Sequence, residues 1–205
     1  MTDVVLIDAG TGNLRSVQKA LESLGANVLR TADPQDVSSA QKVVLPGVGA
    51  FGDFMSGLRE RGLELTVMDT VERGIPLLGI CVGMQALFDV GEEMGEHAGL
   101  GLLPGCVLHF PESLEVKIPH TGWNQVEATK DASLFAGIPP GAYVYFNHSY
   151  YCQPGEASDI SAVTDYGLSY ACAVERGKVF GVQFHPEKSQ RVGLKILENF
   201  LRMGL

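Results

Sequence analysis

The pentapeptide Gly79-Ile80-Cys81-Val82-Gly83 stands between the apolar run Ile75-Pro76-Leu77-Leu78 and the helix-like Met84-Gln85-Ala86-Leu87-Phe88. A strand that turns sharply into a helix needs small residues around the turn, because the residue at its apex is held in strained backbone geometry with its side chain clear of the sheet. Gly79 and Gly83 supply that room, and Cys81 takes the apex. Such a turn also aims the N–H of Val82 at the oxygen of an attacked carbonyl, and a helix N-terminus favours thiolate over thiol. Cys81 is therefore a candidate nucleophile, weighed against the plainer reading of a free cysteine that only packs.

A second motif strengthens the first. Residues 179–184 read as a buried strand that delivers His185-Pro186-Glu187 at its end. Strand side chains repeat every second residue, so if extended geometry persists through Pro186, Glu187 lies on the same side as His185. The carboxylate can then accept from a ring nitrogen and fix the tautomer of a general base.

The pattern around these motifs is alternating. Residues 4–7, 27–30 and 42–45 read as short apolar strands, and a helix carrying Leu14, Val17, Leu21 and Leu24 on one side ends at Gly25. Residues 32–34 look like a helix start, and residues 54–71 read as helical with a break near Gly62. Alternation of this kind predicts a doubly wound, mostly parallel α/β sheet, with the site outside the carboxyl ends of the strands. From 91 to 122 the pattern weakens into glycine, proline and charge. Residues 123–127, 142–146, 160–163 and 169–174 then read as antiparallel additions in the C-terminal half, and Ser189 as the cap of a final helix. No repeat or linker divides the chain, so one domain over residues 1–205 is expected.

Composition narrows the chemistry. A net charge of −9, from 15 basic and 24 acidic side chains, argues against nucleic acid and anionic membrane surfaces as partners. No apolar stretch approaches the roughly 20 residues of a membrane span. Cys81, Cys106, Cys152 and Cys172 show no Cys-x-x-Cys spacing, no His/Cys/Asp/Glu cluster has metal spacing, and the first residues carry no basic n-region. A reduced, cytoplasmic protein without metal or cofactor is the expectation.

The loop Gly47-Val48-Gly49-Ala50-Phe51-Gly52 matches Gly-x-Gly-x-x-Gly and has Asp69 downstream, as a dinucleotide site would. It follows the third strand rather than the first, however, and Pro46 precedes it. The competing reading is that N–H groups near Val48 and Gly49 face the Cys81 turn and complete an oxyanion hole. His97 and His109 read as solvated. His120 and His148, in Pro119-His120-Thr121-Gly122-Trp123-Asn124 and Asn147-His148-Ser149-Tyr150, stay open between functional and structural roles.

On these motifs, together with Gly12-Asn13-Leu14-Arg15, the chain resembles the class I (triad) glutamine amidotransferases of flavodoxin-like fold, and more narrowly the glutaminase subunits of imidazole glycerol phosphate synthases. Ala9 departs from the aromatic residue many relatives carry there, with an expected effect on packing. The resemblance implies that Cys81, His185 and Glu187 form a triad that hydrolyses L-glutamine. It also implies that Val48, Gly49 and Val82 supply the oxyanion hole, and that Gly49, Gln85, Ser149 and Tyr150 bind the substrate. The chain has no P-loop and no length for a second catalytic domain, so a separate ammonia-consuming partner is expected; the family supplies a (β/α)8 cyclase subunit. Asn13, Arg15, His120, Trp123 and Lys188 are the interface candidates. A glutaminase serving pyridoxal phosphate synthesis and a noncatalytic nucleotide-binding or scaffold domain are the alternatives.

Overall fold

The computed structural model describes residues 3–129 and 132–204. The first half alternates strand and helix: β1 (Asp3–Ile7), α1 (Leu14–Ser23), β2 (Asn27–Thr31), α2 (Pro34–Ser38), β3 (Lys42–Gly47), α3 (Phe51–Glu60), α4 (Leu63–Glu72) and β4 (Leu77–Cys81). A single turn, α5 (Val82–Gln85), follows without a spacer, and then the short strands β5 (Phe88–Gly91) and β6 (His97–Ala98). The remainder comprises β7 (Leu103–His109), β8 (His120–Ala128), β9 (Ala142–His148), β10 (Tyr150–Pro154), β11 (Ile160–Asp165), β12 (Ser169–Arg176), β13 (Val179–Val182) and α6 (Gln190–Arg202).

Every residue of β3, β4 and β13 is buried, as strands covered on both faces must be. They sit in a parallel block of order β2-β1-β3-β4-β13, continued by the antiparallel β12 and β10 and then by β7, β5 and β6. A branch of antiparallel pairs runs from β12 through β11 and β8 to β9. The expected mostly parallel sheet with antiparallel C-terminal additions is therefore present. Helix α1 buries Leu14, Val17, Ala20 and Leu21, and packs against α6, while α4 packs against α2 and α3. At the start of α2, the Asp33 carboxylate accepts from Gln35 N at 2.8 Å and Pro34 occupies the first turn.

Several boundaries differ from expectation. The helix-like reading of residues 84–88 ends early, since α5 stops at Gln85 and β5 begins at Phe88, and the weakly patterned stretch holds β6 and β7, whose burial is too irregular to give a period-two signal. Helix α3 begins at Phe51, where the Glu93 carboxylate accepts from the Phe51 N–H at 2.7 Å and satisfies an end group that no local side chain caps. The strand before the histidine ends at Val182, and Pro186–Lys188 form a 3-10 turn, so extended geometry does not persist to Glu187. Ser189 stands before α6 without capping it; its hydroxyl bridges elsewhere.

Register positions the site. Gly47 pairs with Cys81 across β3 and β4, and Val182 pairs with Ile80 across β13 and β4, so three adjacent strands end at one rim. There α5 crosses the strand ends at glycine distance. A Cβ at Gly83 would stand 1.8 Å from Leu45 O, one at Gly79 would stand 2.5 Å from Gly83 O, and one at Gly47 would stand 2.9 Å from Gly83 N. The obstacles are backbone atoms, which cannot rotate aside. Gly83→Ala is expected to destabilise the fold by about 3 kcal/mol or more in urea unfolding. A variant within 0.5 kcal/mol of the parent, roughly the range of neutral surface changes, would contradict this packing.

Candidate active site

The glycine nest leaves Cys81 no ordinary conformation. Its φ of 55° and ψ of −113° lie in a region that non-glycine residues avoid. The residue is 4 % exposed, with its sulfur at a cavity of about 270 Å³. Val82, the first residue of α5, lines the same cavity, and first-turn N–H groups have no partner within a helix. Facing it is the loop that leaves β3: Val48 and Gly49 also line the cavity, and Gly49 has a φ of +97° that suits glycine. Since Gly47 of this loop lies against Phe54 and Gly83, the Gly-x-Gly-x-x-Gly stretch is packed onto the Cys81 turn.

The third strand end brings His185. Its Nδ1 pairs with Glu187 Oε1 at 3.0 Å, the two side chains being 4 % and 1 % exposed, and its ring also hydrogen-bonds to Cys81. Burial by itself would lower the pKa of this imidazole. Its hydrogen bonds to Cys81 and Glu187, with their charges, outweigh that and hold it up at about 9. The 3-10 turn at 186–188 folds the carboxylate back onto the ring, which an extended strand would have achieved only by alternation. Burial, meanwhile, pushes the thiols of Cys106, Cys152 and Cys172 up, the last two strongly, so they stay protonated and inert.

Cys81, His185, Val48, Gly49, Val82, Gln85, Ser149 and Tyr150 all line this one cavity, with Glu187 directly behind His185. Glu93, Asn147 and His148, none singled out for substrate, line it too. Glu93 is half-buried and uses one oxygen on Phe51 N, leaving a carboxylate aimed at the space beside Tyr150, whose phenol pKa burial and this charge raise. The signal that could have found Glu93 is three-dimensional: it sits on the β5–β6 segment, whose strands the pattern does not reveal.

His120 and His148 resolve as members of a buried polar chain. His148 Nδ1 lies 2.7 Å from Tyr150 O, which can only accept, so Nδ1 carries the proton and Nε2 accepts from Tyr170 Oη at 3.0 Å. Tyr170 in turn accepts from His120 Nδ1 at 2.9 Å, and His120 Nε2 faces Asn124 Nδ2 at 3.4 Å. His120 is 2 % exposed and stacked between Phe146 and Tyr166. Of the two roles left open for His120 the structure favours the structural one, and the interface role expected of it is set against a ring that serves the core.

The other interface candidates lie differently. Trp123 is 46 % exposed and meets the Tyr145 ring edge-on at 6.1 Å, with Lys188 Nζ 5.5 Å from the same ring. Arg15 is exposed and Asn13 half-buried, both at the start of α1, which packs against the turn carrying Lys188. Behind this surface, His185 N donates to Tyr145 O at 2.9 Å, Tyr145 N donates to Ser189 Oγ at 3.0 Å, and Ser189 Oγ donates to His185 O at 2.7 Å. The histidine turn is thus stitched to the edge of β9.

Burial lowers the His120 pKa to about 4 and the His148 pKa to about 3, from 6.5. Both values lie below the unfolded one, so the unfolded chain binds the extra protons and stability falls as pH drops from 6.5 toward 4. His185, raised to about 9, has the opposite sign: its contribution is complete below 6.5 and is lost as pH rises through 9. Urea unfolding as a function of pH should show a decline below 6.5 that is shallower in His120→Gln. An unchanged slope would refute the neutral buried pair.

Comparison with known proteins agrees with the geometry. The family model "Glutamine amidotransferase class-I" matches residues 5–203. A Moorella thermoacetica protein named imidazole glycerol phosphate synthase subunit HisH is 52 % identical over 200 residues, covering 98 % of this chain and 94 % of the relative. A Salinibacter ruber protein of the same name is 50 % identical, covering 95 % and 92 %. Among solved structures, a glutamine amidotransferase superposes with a TM-score of 0.73 at 23 % identity, covering 96 % of this chain and 98 % of that one. PurLQS from Thermotoga maritima superposes with a TM-score of 0.75 at 19 % identity, covering 98 % and 97 %. These two likenesses bear on the fold alone. With the Cys81 turn and a His-Glu pair meeting at one rim, and with relatives of this kind over nearly its full length, the chain belongs to the class-I glutamine amidotransferases, in the branch of imidazole glycerol phosphate synthase HisH subunits.

Proposed function

We propose that Cys81, His185 and Glu187 hydrolyse L-glutamine to glutamate and ammonia, and that the ammonia passes directly to a (β/α)8 cyclase subunit making imidazole glycerol phosphate in histidine biosynthesis. One observation carries the first part: a single buried imidazole hydrogen-bonds both to the sulfur at the apex of the turn and, at 3.0 Å, to a buried carboxylate. Such a pair can pass the thiol proton to the imidazole, giving a sulfur able to attack and an imidazolium able to protonate a leaving amine.

The steps follow from this charge placement. Cys81 sulfur adds to the carboxamide carbon, and the oxygen gains its charge near the N–H groups of Val82 and the Val48–Gly49 loop. His185 gives its proton to the amide nitrogen, the C–N bond breaks, ammonia leaves and a glutamyl thioester remains. The neutral imidazole then takes a proton from water, hydroxide adds to the thioester, and the C–S bond breaks to release glutamate and return the thiolate. Glu187 keeps Nδ1 protonated throughout, so that Nε2 faces the chemistry. Gly49, Gln85, Ser149 and Tyr150 shape the pocket. The Glu93 carboxylate has the charge to receive the α-ammonium group of the substrate.

Ammonia released into bulk water at neutral pH would be protonated and lose its nucleophilic lone pair, so the product is useful only beside a consuming site. The relatives named as synthase subunits support such a partner, and Asn13, Arg15, Trp123 and Lys188 are the residues proposed to meet it. No helix among the described residues is long and apolar enough to cross a membrane, and a cytoplasmic location is part of the proposal.

Replacing Cys81 with alanine should reduce glutamate release by about 10⁴-fold or more, in the presence of the cyclase and its nucleotide ligand; residual activity near the parental level would end the triad reading. Glu93→Gln should raise the KM for glutamine by roughly tenfold with kcat little changed. If kcat alone falls, Glu93 does not hold the substrate. Glutamate release should also rise when the cyclase and its ligand are added, and indifference to both would contradict the coupling.

A further inference from the structure

Gln183 lies two residues before His185, fully buried, and the triad chemistry above makes no use of it. Its side chain nevertheless reaches the sulfur: Nε2 stands 3.8 Å from Cys81 Sγ, within the longer range that the large sulfur atom sets for N–H···S contacts. We propose that Gln183 is a further catalytic residue of this site, an obligate hydrogen-bond donor that holds the Cys81 sulfur as an acceptor and so stabilises its thiolate. The inference rests on the assignment of Cys81 as nucleophile.

The direction of the donor is fixed by a chain of necessity. Tyr150 O is a carbonyl and can only accept, so the Gln85 atom 3.1 Å from it is the amide nitrogen. That same Nε2 lies 3.2 Å from the Gln183 side chain, which must therefore present its oxygen. Cys152 Sγ lies 3.9 Å from that oxygen, and its buried thiol keeps its proton and donates in the same sense. With both donors on Oε1, rotating the Gln183 amide by half a turn would set NH₂ against NH₂ and NH₂ against S–H. The amide hydrogens are therefore left facing Cys81.

The Cys81 sulfur thus lies between two donors, Gln183 Nε2 and the His185 ring, whose other nitrogen is committed to Glu187. A thiol can satisfy two donors only through its weak lone pairs, whereas a thiolate accepts both well. The proton displaced from sulfur resides on His185, so no external base is needed. The same contact acts again when the thioester collapses, because the departing group is the thiolate.

The test is alkylation of Cys81 by iodoacetamide across pH, followed by peptide mapping, which reads the thiolate directly and needs no glutaminase turnover. Gln183→Met keeps an unbranched chain of similar reach but removes the donor; Gln183→Glu keeps the shape and replaces NH₂ by oxygen. Both should slow alkylation by roughly tenfold at pH values on the rising limb of the parental Cys81 profile. Profiles that coincide with the parent in a folded variant would overturn the proposal while leaving Cys81 as nucleophile. Should either variant fail to fold, the unaltered protein still decides. The side-chain NH₂ resonances of Gln183 should shift with the same midpoint as Cys81 alkylation, and resonances indifferent to that titration would overturn the assignment. Activity retained in Cys81→Ala would be a different failure, that of the parent reading.

Discussion

The contact between the first turn of α5 and the ends of β3 and β4 is the constraint from which the rest follows. Backbone meets backbone there, with Leu45 O where a Cβ of Gly83 would stand and Gly83 O where a Cβ of Gly79 would stand. A helix seated so closely has no room for a connecting loop, so the direction change falls on one residue, Cys81, at a φ of 55°. Such a conformation costs about 1–3 kcal/mol and persists only where its surroundings leave no alternative. Here the surroundings are central parallel strands with every residue buried, among the least yielding parts of an α/β fold. Side-chain direction, the adjacency of the Val48–Gly49 loop and the arrival of His185 all follow from the shared register of three strand ends.

Onto this rigid rim the structure hangs two polar connections to the outer antiparallel branch. One is the stitch between His185–Ser189 and the edge of β9, in which the Ser189 hydroxyl accepts from Tyr145 N and donates to His185 O. Trp123 and Lys188 press on the ring of the same Tyr145. The other is the sequence Asn124, His120, Tyr170, His148, ending on Tyr150 O, the oxygen that Gln85 also uses. The outer face and the substrate wall are joined by hydrogen bonds with fixed donors and acceptors.

How much of this was legible in the sequence depended on whether the signal was local. The glycines flanking Cys81 mark the turn because only their missing side chains allow the crossing, and the His185-x-Glu187 spacing marks the pair because two residues suffice to return a carboxylate to a ring. The route differs, a 3-10 turn in place of an extended strand, yet the spacing serves either. Buried parallel strands announce themselves as apolar runs. By contrast, β5 to β7 alternate poorly because each is short or irregularly covered. Glu93 and Gln183 gain their significance only from residues 42 and 102 positions away along the chain. His120 stayed open for a related reason: its neighbour Trp123 is exposed, while the ring itself is enclosed by Phe146 and by Tyr166 from a distant strand end. Ser189 occupies a cap position by sequence but spends its hydroxyl on the triad turn.

The central claim is that the glycine-locked turn presents the Cys81 sulfur as the one thiol able to form a bond to a glutamine carbonyl carbon. Incubating the protein with a diazoketone analogue of glutamine and mapping the adduct by mass spectrometry tests it most directly. The account predicts a single covalent adduct on Cys81, suppressed by excess L-glutamine, with Cys106, Cys152 and Cys172 unmodified. An adduct on one of those three, or glutamate release that continues unabated after Cys81 is fully labelled, would contradict it.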